Sequence, residues 1–544
     1  LYYKDVVENA YKNGGQNGML EEAVIPENLL LEAKAFTNTA IITINRYSTE
    51  DEDRKSDGTD SYFELSQAEK KMIKTVEDNF ENIIVLLNTG SMIDTSWFAN
   101  NPKIKAALMI WQGGMEGSLA TANILMGEVC PSGKLCDTCA ASFDDYPSSE
   151  GFHESEDYVK YTEDIFVGYR YFETIPGKDK CVVYPFGYGL SYTTFAISNP
   201  FAFEADGKII VSVCVKNTGN FSGKEVVQLY FGAPKGKITK ASKELCGFKK
   251  TKLLAPGEEE TVLISFDIND MASFDDLGDV CKSAYVLEKG EYKIYVGNSV
   301  RSAKELSYKY ELAEDIIVKN CESYCAPVNL NKRLTATGEY ITVKEEKPKN
   351  YDFPCEYKNE AKIPKEKKDY YLLEDVANGK VSLDDFISQI ADEEMPELLH
   401  GQKSLGVSNT DGFGNLSKFG IPSPMTIDGP AGVRILPETG IRTTAFPVAT
   451  MLACTWNTDI LEEIGVAGAM ECKENNLSIW LTPALNIHRS PLCGRNFEYY
   501  SEDPFVSGKM AAAMVRGIQS QNIAATPKHL ACNNKETNRK DSDS

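Results

Sequence analysis

No apolar run in this chain approaches the ~20 residues that a helix needs to cross a bilayer. The N-terminus lacks the pattern of a secretory leader, and the chain opens on Leu1 rather than Met. Positive charge is in short supply: 57 Lys and Arg stand against 80 Asp and Glu, a net charge of −23. So acidic a surface repels nucleic acid and anionic membranes, and neither is expected as a partner. It says little against a neutral substrate. A second CxxC is missing, as is any His close to Cys136-Asp-Thr-Cys139, which argues against a zinc or redox centre there. The 14 cysteines are scattered, many in apolar runs such as VSVCVK around Cys214 and MLACTW around Cys454. Free thiols used as core residues imply a reducing compartment, and a cytoplasmic location is the expectation.

What is present is ordinary for a globular protein: 42% hydrophobic and 25% charged residues. At 544 residues the chain is too long for one core, and three or four domains are expected. Aromatics are slightly generous, with 27 Tyr, 24 Phe and 4 Trp. They can stack on sugars, although core packing is the commoner use.

Residues 1–195 alternate between helical and strand patterns. AIITIN (40–45) is β-rich, and SQAEKKMIKTVEDNF (66–80) is amphipathic behind a Ser66 capping box with Glu69. IIVLLN (83–88) and AALMIW (106–111) read as buried strands, and 115–126 as the next helix. Strands spaced by helices imply a parallel α/β layer. Residues 196–310 change character. Runs at 208–217, 226–231, 260–266 and 292–296 alternate or are β-branched, with turns at Asn217-Thr-Gly219, Pro256-Gly257 and Lys289-Gly290, a β-sandwich signature. Residues 311–370 are rich in Lys and Glu and read as a linker, partly helical or wrapped over a neighbour. Residues 371–544 return to α/β. A helix is expected over 384–397, strands over 424–428, 450–453, 479–486 and 523–529, and helices over 459–474 and 506–519. Four βα units make part of a barrel and cannot close eight strands.

Chemistry gathers in four places. TIDGPAGVR sets Asp428 at a strand end, where a carboxylate can accept from vicinal sugar hydroxyls or simply cap a turn. CGRNFEYYSEDPFVSG carries Arg495, and its Glu502-Asp503 pair reads as a structural ion-pair network ahead of a helix starting at Pro504. TPKHLACNNKETNR puts Lys528 and His529 after an apolar strand, with Arg539 to follow. Together these donors can fix hydroxyls and keep a nearby carboxylate ionised, though a lone His at a strand end is more often structural. STEDEDRK (48–55) is, blandly, a solvated charged loop. Its place after AIITIN is where parallel sheets carry sites, and a Glu there serves as general acid if its surroundings raise its pKa.

In combination these motifs resemble glycoside hydrolases of family 3, β-glucosidase type. TIDGPAGVR, GRNFEYYSEDPFVSG and KHLACNNKETNR resemble the family's barrel signatures. WQGGMEGSLATANILMGEVCPSGKL, YTEDIFVGYRYF and YPFGYGLSYTTF resemble those of its α/β-sandwich domain, and KEVVQLYFGAPKG with LLAPGEEETV its fibronectin type III-like domain. The usual order is barrel, sandwich, fibronectin-like; here sandwich and fibronectin-like domains come first, as in some members. The resemblance implies a multidomain fold: a partial α/β sandwich (1–195), a fibronectin III-like β-sandwich (196–310), the linker (311–370) and a partial (β/α)8 TIM-type barrel (371–544).

The resemblance also implies a retaining exo-β-glucosidase acting on small carbohydrates, with no metal or cofactor. Asp428, Arg495, Lys528, His529 and Arg539 match the positions that hold the terminal sugar. Glu50 matches the general acid/base, with Thr49-Glu50-Asp51 in place of the usual Gly-Glu-Gly and Glu52 a near neighbour. The family's nucleophile is an Asp in a Ser-Asp-Trp-like motif well past the KH motif. Nothing after Arg539 matches, and Asp541 and Asp543 come too early. The expectation is therefore a chain cut at both ends and inactive alone. A sugar-binding protein on a degenerate hydrolase is the alternative. The exact sugar and any homo-oligomer are left open.

Overall fold

The computed structural model describes residues 2–13, 20, 22–56, 62–323, 330–343 and 370–541. Parallel strands Thr39–Asn45, Asn82–Asn88 and Ile104–Met109 lie side by side in that order. The helix between the first two, Gln67–Asn79, begins where the capping box places it. Ser66 Oγ accepts from the Glu69 amide at 3.2 Å, and the Glu69 carboxylate accepts from the Ser66 amide at 2.8 Å. Its apolar stripe buries Ile73 and Val76 against Ile42, Ile44, Ile83, Val85 and Leu87. Ile104–Met109 is less buried than AALMIW suggests, because it lies at an end of the three-stranded sheet that the described residues form.

The second unit is a β-sandwich. Phe195–Ala205, Lys208–Asn217 and Glu259–Asp267 form one antiparallel sheet. Lys304–Leu312, Gly290–Gly297, Val226–Gly232 and Glu244–Lys250 form the other. Lys208–Asn217 shows the period of two directly: Ile209, Val211, Val213 and Val215 point inward and meet Leu229 and Ile294 in one core.

Part of the stretch read as linker is folded. Ile316–Asn320 pairs with Ala284–Leu287, and Lys332–Leu334 forms a hairpin with Tyr340–Thr342. The hairpin is pinned on the first two units: Arg333 bonds Asp164 of the first at 2.8 Å and Asp276 of the second at 2.7 Å, while Leu334 joins the core of Phe152 and Phe172. The order here is that of strands, not of the partial helix expected. The Lys/Glu-rich run from 344 to 369 lies outside the described residues.

In the last unit three parallel strands, Thr426–Ile427, Ile479–Trp480 and Ala524–Ala525, stand in chain order, and the described residues close no barrel. Helices Thr458–Glu474 and Pro504–Ser520 pack together closely enough that a Cβ on Gly465 would meet the Met514 carbonyl at 2.5 Å. Two expectations fail. Residues 450–453 are helical, within Ala449–Ala453, since a short buried apolar run does not reveal its period. The helix expected over 384–397 is two short pieces, Leu383–Ser388 and Pro396–Leu399. Pro396 opens the second piece, where its missing N–H costs nothing.

The three units share one core. Trp456, 1% exposed, packs edge-on against Phe186 and Phe248 from the other two units, and its indole N–H donates to the Lys134 carbonyl at 3.1 Å.

Candidate active site

The strand ending at Ile427 delivers Asp428 at its C-terminal end, the usual place for sites in parallel sheets. Asn409 accepts its amide at 3.0 Å. Lys528 Nζ donates to Asp428 Oδ1 at 2.6 Å, and Arg434 stands 3.5 Å from the other oxygen. Burial pulls the Asp428 carboxyl up, but the Lys528 hydrogen bond and charge outweigh it and hold Asp428 below the usual range. Beside it opens a pocket of about 330 Å³, lined in part by Gly429, Arg434, Thr443, Phe497 and Glu498.

Arg495 sits in the turn before Tyr499 and is nearly wholly buried. Its Nε donates to Glu498 at 2.8 Å, and its outer nitrogen reaches Glu50 at 3.3 Å. Burial lowers the guanidinium pKa, yet Glu498 more than compensates and Arg495 stays firmly cationic. The Glu498 carboxyl goes the other way: its burial outweighs the cations Arg495 and Lys528 and raises it.

Glu50 follows the strand Thr39–Asn45, in a tight turn whose Asp51 has φ 69°. Arg539 donates to its carboxylate, to Asp51 at 3.0 Å, and lies 3.4 Å from Glu536. Partial burial raises the Glu50 pKa, but Arg539's hydrogen bond and the charges of Arg495 and Arg539 bring it below normal. His529 faces this cluster, with Nδ1 3.2 Å from the Tyr499 hydroxyl. Burial first, then the charges of Arg495, Lys528 and Arg539, depress it to about 4, so its imidazole is neutral at pH 7.

The structure thus brings Glu50, Arg495, His529 and Arg539 into one cluster and sets the Asp428–Lys528 pair against it through Glu498, which feels both. The sequence alone did not single out Glu498, Tyr499, Arg434, Asp53, Glu536 or Asn533, whose side-chain amide donates to Glu536 at 3.0 Å. Glu498 had a readable signal, being three residues after Arg495, as did Glu536, three before Arg539. Glu502 and Asp503 are structural, as expected: Asp503 caps Pro504–Ser520 by accepting from Val506, and Glu502 accepts from Thr138 and Tyr169. Cys136 and Cys139 are buried, their thiols pushed up by burial, and Cys136 faces Cys454 at 3.5 Å.

Comparison with known proteins agrees with this architecture. Residues 26–192 match the glycosyl hydrolase family 3 C-terminal domain, 225–300 a fibronectin type III-like domain, and 407–542 the glycosyl hydrolase family 3 N-terminal domain. The chain is similar to β-glucosidase A of Butyrivibrio fibrisolvens, with 50% identity over 100% of this chain and 72% of that protein. To a β-glucosidase of Ruminococcus albus it is 40% identical, over 99% of this chain and 57% of that one. The crystal structure of a β-glucosidase from Paenibacillus barengoltzii superposes with a TM-score of 0.91 at 38% identity, over 99% of this chain and 61% of that one. The chain belongs to glycoside hydrolase family 3, with the C-terminal-type domain ahead of the N-terminal-type domain. It spans 57% to 72% of the length of these relatives.

Proposed function

We propose that the full-length protein is a retaining exo-β-glucosidase that releases terminal glucose from short β-linked oligosaccharides and glycosides. The observation that carries this reading is the convergence of Glu50, from one end of the chain, on Arg495, His529 and Arg539 from the other. In this reading Asp428 and Lys528 hold vicinal hydroxyls of the sugar as acceptor and donor. Arg495, Arg539 and neutral His529 contact the same sugar from the Glu50 side. Glu50 protonates the departing oxygen and then activates water. A second carboxylate about 5–5.5 Å away attacks the anomeric carbon. We place that nucleophile in the full-length protein outside these 544 residues. Glu50 must carry a proton when the leaving group departs, so its bonds to Arg539 and Arg495 are exchanged for sugar contacts on binding. The twelve described cysteines are free thiols, which is compatible with a cytoplasmic setting.

The arginine pairs of Glu50 also favour a second reading, a sugar-binding protein without turnover, because they keep the carboxylate ionised. Hydrolysis of p-nitrophenyl β-glucoside decides between them. The enzyme reading expects turnover by the full-length protein, a loss of several powers of ten in this chain alone, and a loss of about 100- to 10,000-fold in E50Q on substrates with poor leaving groups. Glucose binding with no turnover by the full-length protein selects the second.

A further inference from the structure

Three residues beyond Glu50, Asp53 is 6% exposed, and its carboxylate faces backbone amides. Its Oδ1 accepts from the amides of Gly494 at 3.1 Å and Glu536 at 2.9 Å, and its Oδ2 from those of Glu536 and Thr537, both at 2.9 Å. Its own amide donates to Thr537 Oγ1 at 3.2 Å. A third tie runs from the Asp51 amide to Glu536 Oε2 at 3.0 Å. Gly494 immediately precedes Arg495, and Thr537 lies two residues before Arg539. One carboxylate therefore gathers the two segments that supply Glu50's arginine partners. Gly494 has no room for a side chain, because a Cβ there would run into the Thr49 and Glu52 carbonyls, so the acid/base turn lies directly on that backbone.

We propose that Asp53 is a positioning residue that holds the Glu50 turn over the sugar pocket by binding the backbone of the Arg495 and Arg539 segments. The proposal rests on the reading of Glu50 as acid/base. The chemistry requires a carboxylate: two oxygens accept from three amides, whereas an Asn would turn its NH2 towards amides that are themselves donors. A displacement of about 1 Å at a reacting group costs on the order of 100-fold in rate. The cost should fall on steps that need Glu50's proton.

The experiment measures kcat/KM of the full-length protein on β-glucosides of graded leaving-group acidity, from 2,4-dinitrophenyl to alkyl, for D53N, E50Q, the double variant and T537V. D53N is expected to lose about 10- to 100-fold on alkyl glucosides and under about threefold on the dinitrophenyl substrate. In the E50Q background D53N should add less than about twofold, because its effect passes through Glu50. T537V, which removes only the hydroxyl tie, should show the same leaving-group pattern at smaller size, and it decides if D53N does not fold. Equal loss on every substrate, or full multiplication of the two effects, overturns the role of Asp53 alone. An E50Q profile with no leaving-group dependence overturns the acid/base reading, and Asp53's role with it.

Discussion

Asp428 shows how far the state of one side chain depends on a residue distant in sequence. An Asp before Gly-Pro caps turns or accepts from a ligand, and the choice depends on what faces it. Here Lys528, a hundred residues on, bonds one of its oxygens and keeps it ionised. D428N in the full-length protein should therefore leave Lys528 without its anion and, on the reading proposed above, cost about 10- to 100-fold in kcat/KM on p-nitrophenyl β-glucoside, the range for a hydrogen bond to a charged group. His529 carries a pH consequence. Its folded pKa of about 4 lies below the ordinary 6.5, so between those values the unfolded chain binds more protons. Its contribution is intact above pH 6.5 and is lost as pH falls towards 4. Partly exposed, it should have a modest effect, read as a flatter decline of the thermal midpoint between pH 6.5 and 4 in H529N than in the wild type.

Among the elements, Gln67–Asn79 was the most legible, because its start signal is local: Ser66 and Glu69 meet each other's amides three residues apart, and Arg46 adds an ion pair to the Glu69 carboxylate that the start signal does not need. S66A should cost about 1 kcal/mol and raise hydrogen exchange in the first turn of that helix. The sandwich strands were legible for a similar reason, since a period of two survives wherever one face is wet. Ala449–Ala453 was not. Thr450 is buried there with its hydroxyl proton shared between the carbonyls of Asn496 at 3.0 Å and Tyr499 at 2.9 Å, so a residue read as strand in fact steadies the turn that follows Arg495. A five-residue apolar run holds no trace of that partner. Ile104–Met109 misled in the opposite direction: its composition is that of a buried strand, but burial is set by position in the sheet.

At the level of the whole molecule, the first and last units are joined by buried charge. Arg489 and Glu163 form an ion pair with side chains 2% and 1% exposed, and Arg489 also donates to the Lys160 carbonyl at 2.9 Å. R489M should destabilise by about 3–5 kcal/mol, because it strands Glu163 in the interior, while R489M with E163M should recover most of the thermal midpoint. His488 makes a second crossing: both its nitrogens face acceptors, Asp137 at 2.8 Å and the Asn496 carbonyl at 2.8 Å. Burial alone would lower its pKa, but Asp137 and the carbonyls raise it, which favours the doubly protonated ring.

Family membership and the unusual domain order could be read from motifs alone, because TIDGPAGVR, GRNFEYY and KHLACNNKETNR keep their residue types together over short spans. Which carboxylates and cations confront one another could not. Glu50 meets Arg539 across 489 residues, and Asp53 meets Glu536 across 483. Local propensity carries no record of such distances. Charge pairing and protonation arise only where folded backbone brings the segments within a few ångströms and removes the water between them.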